Sequence, residues 1–423
     1  MINLLNVDKQ NIKLPMPDDV KQIIRVLEGD GNHAFIVGGC VRDTLLGRTP
    51  GDWDITTSAL PMQVKSLFRR TVDTGIKHGT VTVMMGSVGY EVTTYRIDGE
   101  YLDGRHPESV EFSVNLLDDL ARRDFTINAM AYNQVYGLID EFQGLKDLND
   151  GMIRCVGVPE ERFSEDALRM MRAIRFSAQL GFRIHEETKK AIVKLSPTIV
   201  KVSMERVHDE LRKTLLSDNP DYVKQMSDTG LFRDILPVVD RVLKDRKCRS
   251  TLVLLKKEPA DINLRLAALL NQSTPDEAYE TLRDLKLDNA TTATVTKLVK
   301  LSRLGIEETE PAVREAIHEY GREFLPLIIR HQQAIIETKE ETTGILMPSA
   351  RKHNMVIRRL YDDIIQRGDC ISIKELDIDG NDLKELGISG ARIGEVLNQL
   401  LHIVMENPKL NDKATLIAMI EGI

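Results

Sequence analysis

The reading of this chain turns on Ile36-Val37-Gly38-Gly39-Cys40-Val41-Arg42-Asp43 and on Gly51-Asp52-Trp53-Asp54, which follows about a dozen residues later. Two carboxylates two positions apart share one face of a strand, so Asp52 and Asp54 are expected to point into the same space. Such a pair suits one or two Mg²⁺ ions, which take oxygen ligands and keep positions open for substrate phosphates. Upstream, Gly38 and Gly39 let backbone N–H groups approach an anion, the helix they open points its positive end toward it, and Arg42 adds a two-pronged donor. This is the equipment of nucleotidyl transfer, with Asp52 and Asp54 as metal ligands. Glu91, in the strand-like run Gly89-Tyr90-Glu91-Val92-Thr93-Thr94-Tyr95, is a third carboxylate able to complete the set.

Working outward, 423 residues are too many for one compact core and imply several modules. A chain with 42% hydrophobic and 29% charged residues, and no apolar run long enough to span a bilayer, is neither membrane-bound nor disordered. The N-terminus has no basic segment followed by an apolar core, so a cytoplasmic location is expected. Cys40, Cys155, Cys248 and Cys370 lie far apart without a Cys-x-x-Cys pair, which argues against a zinc ribbon and a disulfide framework and leads us to expect reduced thiols. The net charge of −8 argues against a protein that coats nucleic acid. Between Glu161 and Lys213, however, twelve Arg or Lys stand against eight Asp or Glu. A confined basic strip suits a compact RNA end, and a solvated helical face explains it nearly as well.

Strands are expected at Ala34–Val37, Trp53–Thr57, Thr80–Met85 and Tyr90–Tyr95, with a hairpin turn at Gly86-Ser87-Val88-Gly89. The sheet is therefore partly antiparallel and not a doubly wound Rossmann sheet. Neither a dinucleotide fingerprint nor a P-loop is present. From about Phe163 the apolar period becomes helical, with helices expected over Ser164–Gln179 and Ser203–Leu216, capped by Ser164 and Ser203. The expected fold class is an α/β head, a small mixed sheet with helices, followed by an all-α neck, body and tail. Breaks near Asp218-Asn219-Pro220 and Met347-Pro348 place the head at 1–150, the neck at 151–218, the body at 219–347 and the tail at 348–423, with a further break near Gln272-Ser273-Thr274-Pro275. Gly380 to Gly394 reads as helix, glycine turn, helix, either an ordinary hairpin or a phosphate contact.

Two further constellations carry chemistry. In Leu120-Ala121-Arg122-Arg123-Asp124-Phe125-Thr126-Ile127-Asn128, charged residues precede an apolar strand, where burial without partners is costly. Arg123 suits a phosphate, and Asp124 and Asn128 suit sugar hydroxyls. A surface ion cluster is the plainer alternative. In Glu165-Asp166-Ala167-Leu168-Arg169 through Arg175-Phe176, residues Asp166, Arg169 and Arg172 recur every three positions and would line one helix face. A carboxylate accepting from an exocyclic amino group beside a guanidinium donating to a ring nitrogen admits cytosine and adenine and refuses uracil and guanine. An i, i+3 ion pair between Asp166 and Arg169 is the structural alternative. His208-Asp209 lacks the further ligands of a phosphohydrolase metal site.

These three segments, in this order, resemble the class II tRNA nucleotidyltransferases, the CCA-adding enzymes of the polymerase-β-like superfamily, over about residues 35–213. The resemblance implies Mg²⁺ on Asp52 and Asp54, with Glu91 as accessory carboxylate. Triphosphate and sugar contacts would fall to Gly38, Gly39, Arg42, Arg123, Asp124 and Asn128. It implies base reading by Asp166 and Arg169, with Arg172 and Arg175 nearby. Asp98 to Pro107 resembles the loop that helps complete enzymes change from CTP to ATP, and Ser203 to Leu211 the neck helix. The implied activity is template-independent addition of C, C and A to the tRNA 3′ end from CTP and ATP, with no protein partner. An A-adding enzyme, a poly(A) polymerase or a non-catalytic RNA-binding relative are the alternatives.

Overall fold

The computed structural model describes residues 12–99 and 110–420, so most of the loop from Asp98 to Pro107 lies outside the described residues. The chain forms two compact units. One runs to Lys244 and includes the short stretch Asp284–Leu287; the other comprises Asp245–Arg283 and Asp288 onward.

The first unit opens with α1 (Asp18–Gly29), β1 (Ala34–Val37), α2 (Gly39–Leu45), β2 (Ile55–Thr57), α3 (Pro61–Leu67), β3 (Thr71–Gly75), β4 (Thr80–Met85) and β5 (Val88–Thr94). After the ribbon of β6 (Arg96–Asp98) and β7 (Val110–Phe112) come α4 (Leu116–Ala121), β8 (Ala131–Asn133), β9 (Gly137–Ile139) and α5 (Gly144–Asp150). Seven strands form one sheet in the order β3-β4-β5-β2-β1-β8-β9. Only β2 and β5 run parallel; every other neighbouring pair is antiparallel. The mixed sheet expected from the hairpin is present, and Met85 pairs with Val88 across the two-residue turn Gly86-Ser87. All four residues of β1 are buried, as suits a central strand. Ile36, Val41, Ile55, Val92 and Ile127 are each at most 1% exposed. Burial of such side chains contributes about 1.5–3 kcal/mol each and fixes the sheet that carries the site.

The aspartates lie just outside the strand expected to hold them. β2 begins at Ile55, and Asp52 to Asp54 lead into it outside any regular element, tied to the sheet by Val37 N–H donating to the Asp54 carbonyl at 3.0 Å. Another boundary also moved. The helix expected over Ser164–Gln179 is two, α6 (Pro159–Glu165) and α7 (Leu168–Leu180). Asp166 takes extended dihedrals at the break and its side chain accepts from Leu168 N–H at 3.0 Å, the competition with helix backbone that short polar side chains win at caps. Ser164 is inside α6, its hydroxyl bonded to the Glu160 carbonyl. α8 (Glu186–Leu195) and α9 (Met204–Leu215) follow, with Ser203 at the α9 N-cap position but its hydroxyl not engaged. Within this helical part, Met152–Ile153 and Arg183–Ile184 pair as two-residue parallel strands.

The second unit is helical, from Cys248–Lys257 to Lys413–Ile420, with no strand among its described residues. Helices Leu325–Thr343 and Pro348–Arg367 are separated where Pro348 takes the first helical position. Helix Gly380–Glu385 turns through Gly387 and Gly390, both at positive φ, into Arg392–Glu406. Leu383, Leu400, Val404 and Leu416 close that hairpin's core. Among the described residues no helix is long and apolar enough to cross a membrane.

Candidate active site

β5 extends four residues, Val88–Glu91, beyond the point where its ladder with β2 begins, at Ile55 opposite Val92. A cleft of about 580 Å³ opens there, lined among others by Asp52, Trp53, Asp54, Thr82, Tyr90 and Glu91. Alternation along β5 buries Tyr90, Val92 and Thr94 and leaves Glu91 exposed, opposite Thr82 of β4. The three carboxylates thus share one cavity, and none accepts a side-chain hydrogen bond or ion pair from a described residue. Desolvation by the surrounding protein raises the Asp54 pKa, Arg123 opposes that rise, and the Asp52 charge adds to it. Glu91 is raised in the same way by desolvation and by the charges of Asp54 and Asp52. Among the described residues no three His, Cys, Asp or Glu side chains form a closed metal cage. An open carboxylate pair that repels itself and has no ion-pair partner among the described residues fits a hard divalent ion that keeps positions for phosphate oxygens.

The turn lies at the end of β1. Gly38 has φ +78°, and a Cβ there would stand 3.0 Å from Arg123 Nη1, so glycine is required both by conformation and by the approach of that guanidinium. Arg123 is held by a carboxylate sequence analysis missed. Asp119 is fully buried and accepts from Arg122 at 2.6 Å, from Arg123 at 3.1 Å and from the Thr56 hydroxyl at 3.1 Å. Burial pushes the Asp119 pKa up, and Arg123 and Arg122 outweigh it, leaving the pKa below the ordinary value. The spacing Asp119-x-x-Arg122-Arg123 at a helix end was the available signal. Arg123 Nε is buried without a partner among the described residues, a donor left over beside the turn. Arg42 is more fully used. It is bidentate to Asp43, both bonds 2.9 Å, and donates to Asn128 Oδ1 at 2.7 Å. Beneath the turn, the buried Cys40 thiol donates to the Val37 carbonyl, and burial with the nearby Asp54 charge pushes its pKa to about 11.

The remaining expected residues converge on α7, each with a partner of its own. Asp124 accepts from Arg172 at 2.6 and 2.8 Å and from Asn128 Nδ2 at 3.2 Å, so a sugar hydroxyl would have to share an occupied carboxylate. Burial alone would raise the Asp124 pKa, but Arg172 holds it down to about 2. Arg169 pairs with Glu165, and Arg175 with the buried Glu210 of α9. Asp166 is engaged by Arg206 of α9 at 2.7 and 3.3 Å; the Asp166–Arg169 ion pair is not formed. Phe176 was quoted in the sequence only as the end of a segment, yet the guanidiniums of Arg175, Arg42 and Arg172 lie 3.9, 5.0 and 5.4 Å from its ring centroid. Of the twelve basic residues between Glu161 and Lys213, seven are in ion pairs; Arg183, Lys189, Lys201, Arg212 and Lys213 are exposed and have none among the described residues.

Residues 34–154 match the family described as the poly A polymerase head domain, 181–243 a probable RNA and SrmB-binding site of polymerase A, and 261–420 the putative tRNA nucleotidyltransferase domain 2. Over 405 residues the chain is 36% identical to the CCA-adding enzyme of Leuconostoc mesenteroides, covering 93% of each. It is 37% identical over 419 residues to that of Ligilactobacillus salivarius, covering 95% of this chain and 96% of the relative. The chain belongs to the class II CCA-adding enzymes. A crystal structure of the Bacillus stearothermophilus CCA-adding enzyme in complex with CTP matches with a TM-score of 0.73 at 30% identity, over 96% of this chain and 99% of that one. CCA-adding enzymes are nucleotidyltransferases, and the family generally uses a divalent metal.

Proposed function

We propose that the chain adds C, C and A in turn, without a template, to the 3′ end of tRNA, consuming CTP and ATP and releasing pyrophosphate. The observation that carries this reading is the set of three unpartnered carboxylates around one cleft, in a chain with CCA-adding relatives along its length. Asp52 and Asp54, with Glu91 beside them, would hold Mg²⁺, which when bound neutralises triphosphate charge and favours the deprotonated attacking hydroxyl. Gly39 offers its backbone N–H to the triphosphate, Gly38, whose own N–H donates to the Met130 carbonyl at 3.2 Å, supplies the positive-φ turn that opens the cradle, and Arg123 contributes the N–H that its own fold leaves unused. Asn128 and Asp43 together hold the Arg42 guanidinium by three hydrogen bonds. Asp166, both of whose oxygens Arg206 engages, accepts from the amino group of cytosine or adenine through a remaining lone pair, while Arg169, paired with Glu165, donates to the ring; Arg172 and Arg175 fix α7 on which that pair depends. Unmatched polar groups of this kind discriminate by about 10⁴ against uracil and guanine. In this assignment 1–150 is the catalytic head, 151–218 the base-reading neck, 219–347 the body and 348–423 the tail, and the enzyme works in the cytoplasm.

The test is incorporation of labelled CTP and ATP, singly and together, into one tRNA ending at the discriminator base and another ending in CC. Two C and then one A on the first establishes the activity. ATP use on the second alone makes it an A-adding enzyme, and use of neither overturns the reading.

A further inference from the structure

The catalytic cleft holds a feature that triphosphate binding and base reading leave unused. Trp53 is the chain's only tryptophan, and it sits between the two metal-site aspartates in sequence. It lines the same cavity as they do and is partly exposed, with no ring stacking on it among the described residues. Pro17 and Tyr90 line the cavity beside it, and the Tyr90 hydroxyl is anchored by donating to Asp19 at 3.2 Å. None of Gly38, Gly39, Arg42, Arg123 or the α7 arginines lines this cavity. In an in-line transfer the attacking hydroxyl and the leaving pyrophosphate lie on opposite sides of the reacting phosphorus, so the acceptor reaches the metal carboxylates from the side away from the residues that hold the leaving phosphates. A cavity that shares the carboxylates but not the triphosphate residues is therefore the acceptor's side.

Resting on the activity proposed above, we infer that Trp53, in the cavity that Pro17 and Tyr90 also line, is the platform on which the 3′-terminal base of the RNA acceptor stacks. Stacking is indifferent to base identity, because every base offers a π-face. An acceptor site of this enzyme needs that tolerance, since the terminal nucleotide is in turn the discriminator base, a C and a second C. Hydrogen-bonded selection at Asp166 and Arg169 then acts on the incoming nucleotide alone.

As the sole tryptophan, Trp53 reports on its own surroundings. Red-edge excited fluorescence of the wild-type protein is titrated with CTP, with tRNA ending in CC, and with the same tRNA shortened by its last four nucleotides, binding being followed in parallel by filter retention. Quenching by the CC-ended tRNA alone is the expected result. Equal quenching by CTP or by the shortened tRNA, or none while the CC-ended tRNA is retained, overturns the inference. Trp53→Ala should raise KM for tRNA ending in CC by about 5- to 150-fold, the loss of one base stack, with KM for ATP little altered and Trp53→Phe largely restoring the former. If the wild type incorporates both nucleotides but the alanine variant keeps its KM for tRNA, the platform is wrong and the activity stands. If the wild type incorporates nothing, it is the activity that fails.

Discussion

Asp54 shares its cleft with two other carboxylates, and their repulsion governs how this residue responds to acid, metal and mutation. Asp54 and Glu91 both have raised pKa values, chiefly from desolvation, so they take up protons at a higher pH than ordinary carboxylates near 4. Divalent-metal affinity should therefore fall on acidification before that value is reached, measured by calorimetric titration with Mg²⁺ at stepped pH; affinity that stays flat down to pH ~4 would contradict it. Because Asp52 contributes to the shift of Glu91, Asp52→Asn should move the Glu91 titration downward, as read by carboxyl NMR. The linkage sign follows. A folded pKa raised above the unfolded one favours the folded state below the unfolded pKa, and that contribution is lost as pH rises through the folded pKa. At neutral pH the ionised cluster is thus a cost to the metal-free protein. Asp54→Asn should raise its melting temperature by about 2 °C while abolishing stabilisation by Mg²⁺. Asp54→Ala should lower kcat by about 10³-fold or more, with the Kd for tRNA within about twofold of wild type.

At the scale of elements, α7 is the piece on which the site depends, because its arginines reach Asp124 in the loop before β8 and Glu210 in α9. Arg172→Ala would leave the buried Asp124 charge without its ion-pair partner, at a cost of about 3–5 kcal/mol in denaturant unfolding. The Asp124 pKa is held down to about 2 against an unfolded value near 3.9. Its stabilisation, on the order of 2–3 kcal/mol, is present above the unfolded value and is lost as pH falls through the folded one. Asp124→Asn should accordingly flatten acid unfolding between pH ~4 and pH ~2. α7 also marks where sequence reading reaches its limit. β1 and β4 were legible residue for residue, since an apolar run ending at Gly38 and a β-branched run between Gly79 and Gly86 leave little choice. The break at Asp166 was not, because Ala167-Leu168-Arg169 continues the helical period and only a side-chain cap interrupts it. The residues around the site were readable as types, but their partners were not. Arg172 finds Asp124 48 positions away, and Arg206 finds Asp166 40 positions away, which no local periodicity encodes.

For the whole molecule, the question is how a chain of net charge −8 approaches an RNA. Seven of the twelve basic residues are in ion pairs, leaving five exposed cations without one among the described residues between Arg183 and Lys213, within the region that matches the RNA-binding family. Few phosphate contacts mean a shallow salt dependence. Reversing Arg212 and Lys213 to Glu should weaken tRNA binding and flatten the slope of log K on log salt by up to about 2. Reversal of Lys190, already paired with Glu187, should change it little. Equal effects at both sites would dissociate RNA binding from the unpaired charges. The thiol beneath the glycine turn has a different consequence, one of chemical durability. Oxidants and alkylating agents attack the thiolate, and Cys40 is buried and kept protonated well above neutral pH. Burial likewise pushes Cys155 to about 12 and Cys370 to about 11, leaving Cys248 as the accessible thiol. A thiol-counting dye should therefore find one fast-reacting group in the folded protein and four after unfolding. Blocking that one group should leave the glycine turn above Cys40 untouched, so activity is expected to persist without a reducing agent.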